Sequence, residues 1–313
     1  MTQTTSPENW TNQNWPIAAA MIQYPNILPD GSSVQDQSVE QWAETLSDVV
    51  HAGFTELDPT DSWLRVADLS PSRRREFIGL TESLGLTIPA ISTSRRSVID
   101  PVRGEEYLQY GHKVIETAAE IGARSVSFGF FGPLTVEQKA ALWFWSVDGE
   151  RNPDDPVVRQ LAVSRIRELG QHAAELGIEV ALEMYEDTYI GTADDAVRFI
   201  TDVDLPNVGL NADLGNLIRL HRPVEHWLSM VEKTMPYAKY WHVKNYIRIE
   251  DSAKDAYLTY PAPLALGLIN YRYAIRKAIE CGFRSAFLCE HYGGDGLTIS
   301  AMNREYLRSI LPR

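Results

Sequence analysis

The sequence predicts a single (β/α)8 barrel, and three observations point there. One phrase, an amphipathic helix followed by a glycine turn and a short β-rich run, recurs along the 313 residues. Eight such apolar runs are present, enough strands to close a parallel sheet. Four of them end in a residue able to ligate a metal: Glu183 after IEVAL, Asp213 after VGLNA, His242 after AKYW and Glu290 after SAFLC. A closed barrel brings its strand ends to one point, where barrel enzymes build their sites.

The chain opens with MTQTTSPENWTNQNWP, which lacks a positive segment and an apolar segment, so residues 1–16 read as a polar arm rather than a signal peptide. A cytoplasmic location is the expectation, and residues 17–313 are assigned to the barrel. The strands are expected at 17–24 (IAAAMIQY), 54–58 (FTELD), 88–92 (IPAIS), 124–130 (RSVSFGF), 178–183 (IEVALE), 208–213 (VGLNAD), 239–244 (KYWHVK) and 285–290 (SAFLCE). Near-continuous apolar runs separated by helical segments indicate a parallel sheet covered by helices. Glycine in HAGF, SLGL, EIGA, ELGI and ECGF suits the left-handed cap that ends a helix before a strand. In YLQYGHKVIETAAEIG, the residues Tyr107, Tyr110, Val114, Ala118 and Ile121 recur every three or four positions and form one apolar stripe. An open doubly wound sheet would place a glycine-rich phosphate turn after its first strand, and MIQYPNILPDG is not one.

Composition narrows the function. Hydrophobic residues make up 44% of the chain, yet no apolar run approaches the ~20 residues needed to cross a bilayer, so no membrane role is expected. The formal net charge of −13 disfavours nucleic acid as a partner. Cys281 and Cys289 are the only cysteines and imply no disulfide framework.

Three carboxylates and one neutral imidazole suit a single divalent cation, with Mn2+ foremost and Mg2+, Co2+ or Zn2+ as alternatives. Glu183 or Glu290 taken alone reads better as half of a structural salt bridge, and the convergence of four ligand-type residues argues for metal. Glu183 and Glu290 are the candidate bases, because a metal-bound carboxylate keeps an oxygen free to reach substrate. Lys244 lies two residues beyond His242 on the same strand face and is a candidate oxyanion stabiliser, or else a structural partner of Asp213. Residues 130–156 and 245–270 are longer than connections require. Trp143, Phe144 and Trp145 in the first of them can stack on a sugar or a flat aglycone, bury against a partner subunit, or pack as a local plug. Glu56, Asp58, Arg95 and Arg96 follow the second and third strands, but adjacent arginines cannot both point inward.

The strings ALEMYE, NADLGN, HVKN and LCEHYGGDG resemble the successive strand ends of the xylose-isomerase-like barrels, which include sugar isomerases, sugar epimerases and endonuclease IV-type enzymes. The resemblance extends over residues 17–310. It implies that Glu183, Asp213, His242 and Glu290 bind one cation. It also implies a substrate contact at Arg248, six residues beyond the metal histidine of the epimerase branch, and a departure at Asn216, where that branch has histidine. The endonuclease branch needs several more strand-end histidines than this chain supplies. HVKNY, PAPLALGLINYR, EHYGGDGL and PLTVEQKAALWFW further resemble the catalytic subunit of bacterial C-glycoside deglycosidases. That resemblance implies C–C cleavage of an oxidised C-glycoside by an enolate route, and a small second subunit in a hetero-oligomer. Keto-sugar isomerisation or epimerisation is the alternative. A non-catalytic sugar-binding barrel is a third reading, although such a protein would be expected to lose ligands that this chain keeps.

Overall fold

The structure is a computed structural model that describes residues 10–93 and 95–313. Its strands are β1 (Ile17–Ala20), β2 (Glu56–Asp58), β3 (Ala90–Ser92), β4 (Ser125–Phe128), β5 (Glu179–Glu183), β6 (Val208–Asn211), β7 (Ala238–Val243), β8 (Asn245–Asp251), β9 (Ala256–Ala262) and β10 (Phe287–Cys289). Eight of them form one parallel sheet in the order β2-β1-β10-β7-β6-β5-β4-β3. A parallel bridge between Glu56 and Thr87, just before β3, brings the two ends together. Each of the eight expected runs coincides with a barrel strand; seven strands are shorter than the run that announced them, and β7 has the same length, displaced by one residue.

The eight strands alternate, which the near-continuous apolar reading did not anticipate. Ile17, Leu57, Ile91, Val126, Val180, Leu182, Trp241 and Phe287 face the helices and join the large core cluster. Ala18, Ala20, Ala90, Ala181, Tyr240 and Leu288 form a separate, smaller interior cluster. Four of these six are alanine, so the inner face is built largely from small side chains. On the outside, helix Gly104–Ile121 buries Tyr107, Leu108, Val114, Ile115 and Ala118 and ends at Gly122, whose φ of 77° is the left-handed cap expected there.

Asn211 ties three strands at the upper rim. Its amide donates to Ser127 Oγ at 3.1 Å, and its carbonyl oxygen accepts the His242 N–H at 2.9 Å, where the β6–β7 register shifts. Gly209 lies two residues earlier, and a Cβ there would strike the Tyr237 carbonyl oxygen and the Lys239 side chain. Gly209→Ala is therefore expected to cost ~1–3 kcal/mol by overpacking against backbone. A fall in thermal midpoint with unchanged far-UV circular dichroism checks this.

The two long connections carry structure of their own. Residues 245–270 hold the antiparallel hairpin β8–β9, paired from Asn245↔Ala262 to Asp251↔Ala256. Residues 130–156 hold a short helix, Val136–Ala140, with a Thr135/Gln138 capping box, and then an aromatic turn. The first nine residues of the expected polar arm lie outside the described residues. Beyond them Trp15 is buried against Phe283 and Phe287 at the start of β1, with its indole N–H on the Ser285 carbonyl at 2.8 Å.

Candidate metal centre

Four elements deliver the ligand-type side chains. Glu183 ends β5, Asp213 follows β6 by two residues, His242 sits near the end of β7, and Glu290 follows β10. Alternation puts Tyr240, His242 and Lys244 on the inner face of β7 while Trp241 and Val243 face outward. Ligand atoms of Glu183, Asp213 and His242 all lie within 4.8 Å of one another. Glu290 adjoins this trio through the histidine, with Oε2 at 3.3 Å from His242 Nδ1.

Lys244 lies between two of the carboxylates, with Nζ at 2.7 Å from Asp213 Oδ2 and 2.8 Å from Glu290 Oε1. When all are ionised, three carboxylates against one ammonium leave a formal charge of two negatives in a buried site, the charge that one divalent cation neutralises. His242 Nδ1 is a buried atom without a hydrogen bond, and Asp213 Oδ2 has only the Lys244 ammonium at 2.7 Å. A buried nitrogen left unpartnered among carboxylates is costly unless something binds it, so the donor set fits a cation.

Burial raises Asp213 to about 7, helped by Glu290 and Glu183 and opposed by Lys244. Burial also works against the charge on Glu290, yet Lys244 and His242 hold its carboxyl well below the usual range. His242 is raised, because the carboxylates around it outweigh its burial. Cation and protons therefore compete. Affinity for a divalent cation is expected to rise as pH climbs through about 7, where Asp213 gives up its proton. The metal-free protein should behave in the opposite sense. A carboxyl raised on folding contributes stability at low pH, which is lost between its unfolded value of 3.8 and about 7. Calorimetric titration and thermal melts at about pH 5.5 and pH 8 check the two signs.

Asn216 is fully buried and works on a ligand rather than on a cavity wall. Its amide donates to Glu183 Oε1 and to the Met184 carbonyl, both at 3.0 Å, and its backbone N–H reaches Asp213 Oδ1 at 3.2 Å. Arg248, on β8, spends its guanidinium on the carbonyls of Ile218, Leu220 and Arg222 and on Glu250. Trp143 stacks on Trp145 at 5.0 Å between centroids, and Trp145 is buried with its indole N–H on Thr259 Oγ1 at 3.2 Å. Trp145 packs as a plug against Tyr246, Tyr292 and the buried Arg219, which is fixed by both oxygens of Glu186 at 3.1 Å.

A cavity of about 110 Å3 opens beside the centre, lined by Glu183, His242, Glu290, Ser92, Arg95, Phe131, Tyr185 and Tyr292 among others. Lys244, Asn216, Arg248, Trp143 and Trp145 are not on its wall. Of the two adjacent arginines, Arg95 lines the cavity while Arg96 pairs with Asp61 at 2.5 Å. Sequence reasoning missed the aromatic wall of Phe131, Tyr185 and Tyr292, whose only signal is their place one to three residues beyond strands already identified.

A model of the xylose isomerase-like TIM barrel family matches residues 46–310. A xylose isomerase-like TIM barrel protein from Mycobacterium smegmatis, crystallised in complex with magnesium, is 48% identical, with a TM-score of 0.92 over 96% of this chain and 98% of its own. D-psicose 3-epimerase from Clostridium cellulolyticum H10, solved with D-tagatose, is 13% identical with a TM-score of 0.67, over 95% of this chain and 100% of its own. A 3-keto-D-glucoside 4-epimerase from E. coli is 14% identical with a TM-score of 0.62, over 95% and 100%. At these last two identities the likeness is one of fold. A comparison with curated proteins returned no match.

Proposed function

The chain belongs to the xylose isomerase-like TIM barrel family, and we propose that it is a divalent-cation-dependent enzyme that forms an enolate from a carbonyl sugar. The observation that carries this is the uncompensated pair of negative charges at Glu183, Asp213, His242, Glu290 and Lys244, set against a cavity. A cation bound there polarises a sugar carbonyl and its adjacent hydroxyl, which makes the neighbouring C–H acidic. Magnesium in the Mycobacterium smegmatis relative supports a hard divalent cation, and Mn2+ is an equally good fit to oxygen-rich ligands.

The residues of the chain then divide the work. Glu183 lines the cavity and has Oε1 engaged by Asn216, so Oε2 is the better placed base for the substrate proton. Glu290 is the fourth ligand and the weaker base, since Lys244 and His242 stabilise its charged form. Lys244, held between two carboxylates and off the cavity wall, fixes Asp213 and Glu290 beside the cation site. Phe131, Tyr185 and Tyr292 exclude water and offer flat apolar faces.

The preferred outcome is expulsion of a carbon-linked aromatic aglycone from a 3-oxo C-glycoside, in concert with a small second subunit. Asn216 and Arg248 favour it over epimerisation. The positions at which the epimerase branch contacts substrate are here committed to Glu183 and to backbone carbonyls. The experiment is incubation of the protein and a divalent cation with 3-oxo C-glycosides, with and without the candidate subunit, following aglycone release and sugar interconversion by chromatography. Cation-dependent release is expected. Interconversion of free keto-sugars without release would transfer the site to isomerase or epimerase chemistry, and cation binding without turnover on either would make it a binding barrel.

A further inference from the structure

We propose that Asp58 and Ser92 are positioning residues that fix the proton of His242 on Nε2, so that Nδ1 presents its lone pair to the cation. This rests on the metal reading above and concerns how the chain prepares its only nitrogen ligand.

Asp58, at the end of β2, is fully buried. Its Oδ1 accepts the backbone N–H groups of Thr60 and Ser92, both at 3.0 Å. Its Oδ2 accepts the Ser92 hydroxyl at 2.6 Å and the Tyr240 hydroxyl at 3.1 Å. Thr60 adopts a φ of 49°, a conformation β-branched residues avoid, at the residue whose N–H meets this carboxylate. Ser92 has one hydroxyl proton and gives it to Asp58. Towards His242 Nε2, at 3.1 Å, the Ser92 oxygen has only a lone pair to offer. Nε2 must therefore be the protonated nitrogen. The opposite nitrogen, Nδ1, has no partner of hydrogen-bond geometry and faces one oxygen of each carboxylate, Glu290 Oε2 at 3.3 Å, Asp213 Oδ2 at 3.8 Å and Glu183 Oε1 at 3.9 Å. An imidazole whose second nitrogen is tied to a carboxylate, here through one hydroxyl, is held in both tautomer and ring orientation.

Asp58→Asn tests the idea because it reverses the polarity of the chain while keeping its shape. Two backbone N–H groups demand an acceptor at the Oδ1 position, which pins the amide oxygen there and puts NH2 opposite Ser92. The amide then donates to Ser92 Oγ, the hydroxyl turns its proton onto Nε2, and the imidazole proton moves to Nδ1, where the cation belongs. Titration with magnesium alone by calorimetry is expected to show a loss of affinity of ~10–100-fold for Asp58→Asn. Ser92→Ala should lose affinity and Ser92→Thr, which keeps the hydroxyl, should restore it. Tyr240→Phe, which weakens Asp58 without changing the direction of the chain, should lower the thermal midpoint and leave affinity near wild type. The 15N shifts of His242 should place the proton on Nε2 in the magnesium-loaded wild type and on Nδ1 in metal-free Asp58→Asn. Equal affinity in wild type and Asp58→Asn, or a proton on Nδ1 in the loaded wild type, would overturn the proposal. Should Asp58→Asn not fold, equal affinity in Ser92→Ala and Ser92→Thr overturns it instead. Absence of magnesium binding to the wild type would bring down the metal reading itself, a result distinct from all of these.

Discussion

His242→Ala protein is expected to lose stoichiometric divalent-cation binding and with it all turnover. Of the four strand-end groups, His242 alone supplies nitrogen, and its Nδ1 stands within 3.3–3.9 Å of an oxygen from each of the three carboxylates. Alanine removes that atom and leaves the carboxylates to repel one another across the gap. The loss should exceed the ~10–100-fold that follows removal of an outer-shell partner, because a direct ligand is gone. Glu290→Gln is the graded companion. It keeps the side-chain shape but removes one of the two uncompensated charges, so a weaker loss of affinity is expected. Metal content by mass spectrometry after dialysis, with activity on the same samples, decides the matter. A His242→Ala protein that keeps one cation per chain and full activity would refute the ligand assignment.

Much of this was legible in the residues because strand exits are a topological property. A short apolar run after a glycine cap predicts a barrel strand, and the residue that ends it predicts what the catalytic face presents, as Glu183 and Glu290 illustrate. What the sequence concealed depends on distance across the barrel. Asp58 and Ser92 lie 34 residues apart and His242 another 150 beyond Ser92, so no local pattern links the three. Arg248 shows what position alone leaves out: it matches a substrate contact, and its guanidinium also satisfies the carbonyls that the helix end at Ile218–Leu220 exposes. Trp143 and Trp145 were ambiguous for a related reason. An aromatic pair in a loop reads alike whether it meets a ligand or, as here, Tyr246 and Tyr292. The hairpin β8–β9 had a signal that the loop reading passed over, since YIRIED and AYLTYPA are β-rich runs flanking a polar turn.

Lys244→Met should destabilise the metal-free protein by ~3–5 kcal/mol, the range found when one member of a buried ion pair is removed. Lys244 is 2% exposed, and both of its carboxylate partners are buried. Without its ammonium, three carboxylates face one another with no fixed positive charge, and methionine fills the volume without answering them. The size of the effect should depend on pH. Asp213, already raised to about 7, would take up a proton more readily in the variant, so the destabilisation grows as pH rises and that proton is lost. A divalent cation should then return part of the stability, about 2.7 kcal/mol at a hundred times its dissociation constant, making the thermal midpoint of the variant depend on cation concentration. Turnover separates the two roles open to this lysine. As a counter-ion off the cavity wall, it is replaceable by saturating cation, and recovery of most of kcat is the expected result. A residual loss of ~10²–10³ in kcat with the cation site full would assign it instead to the charge developing on the substrate oxygen.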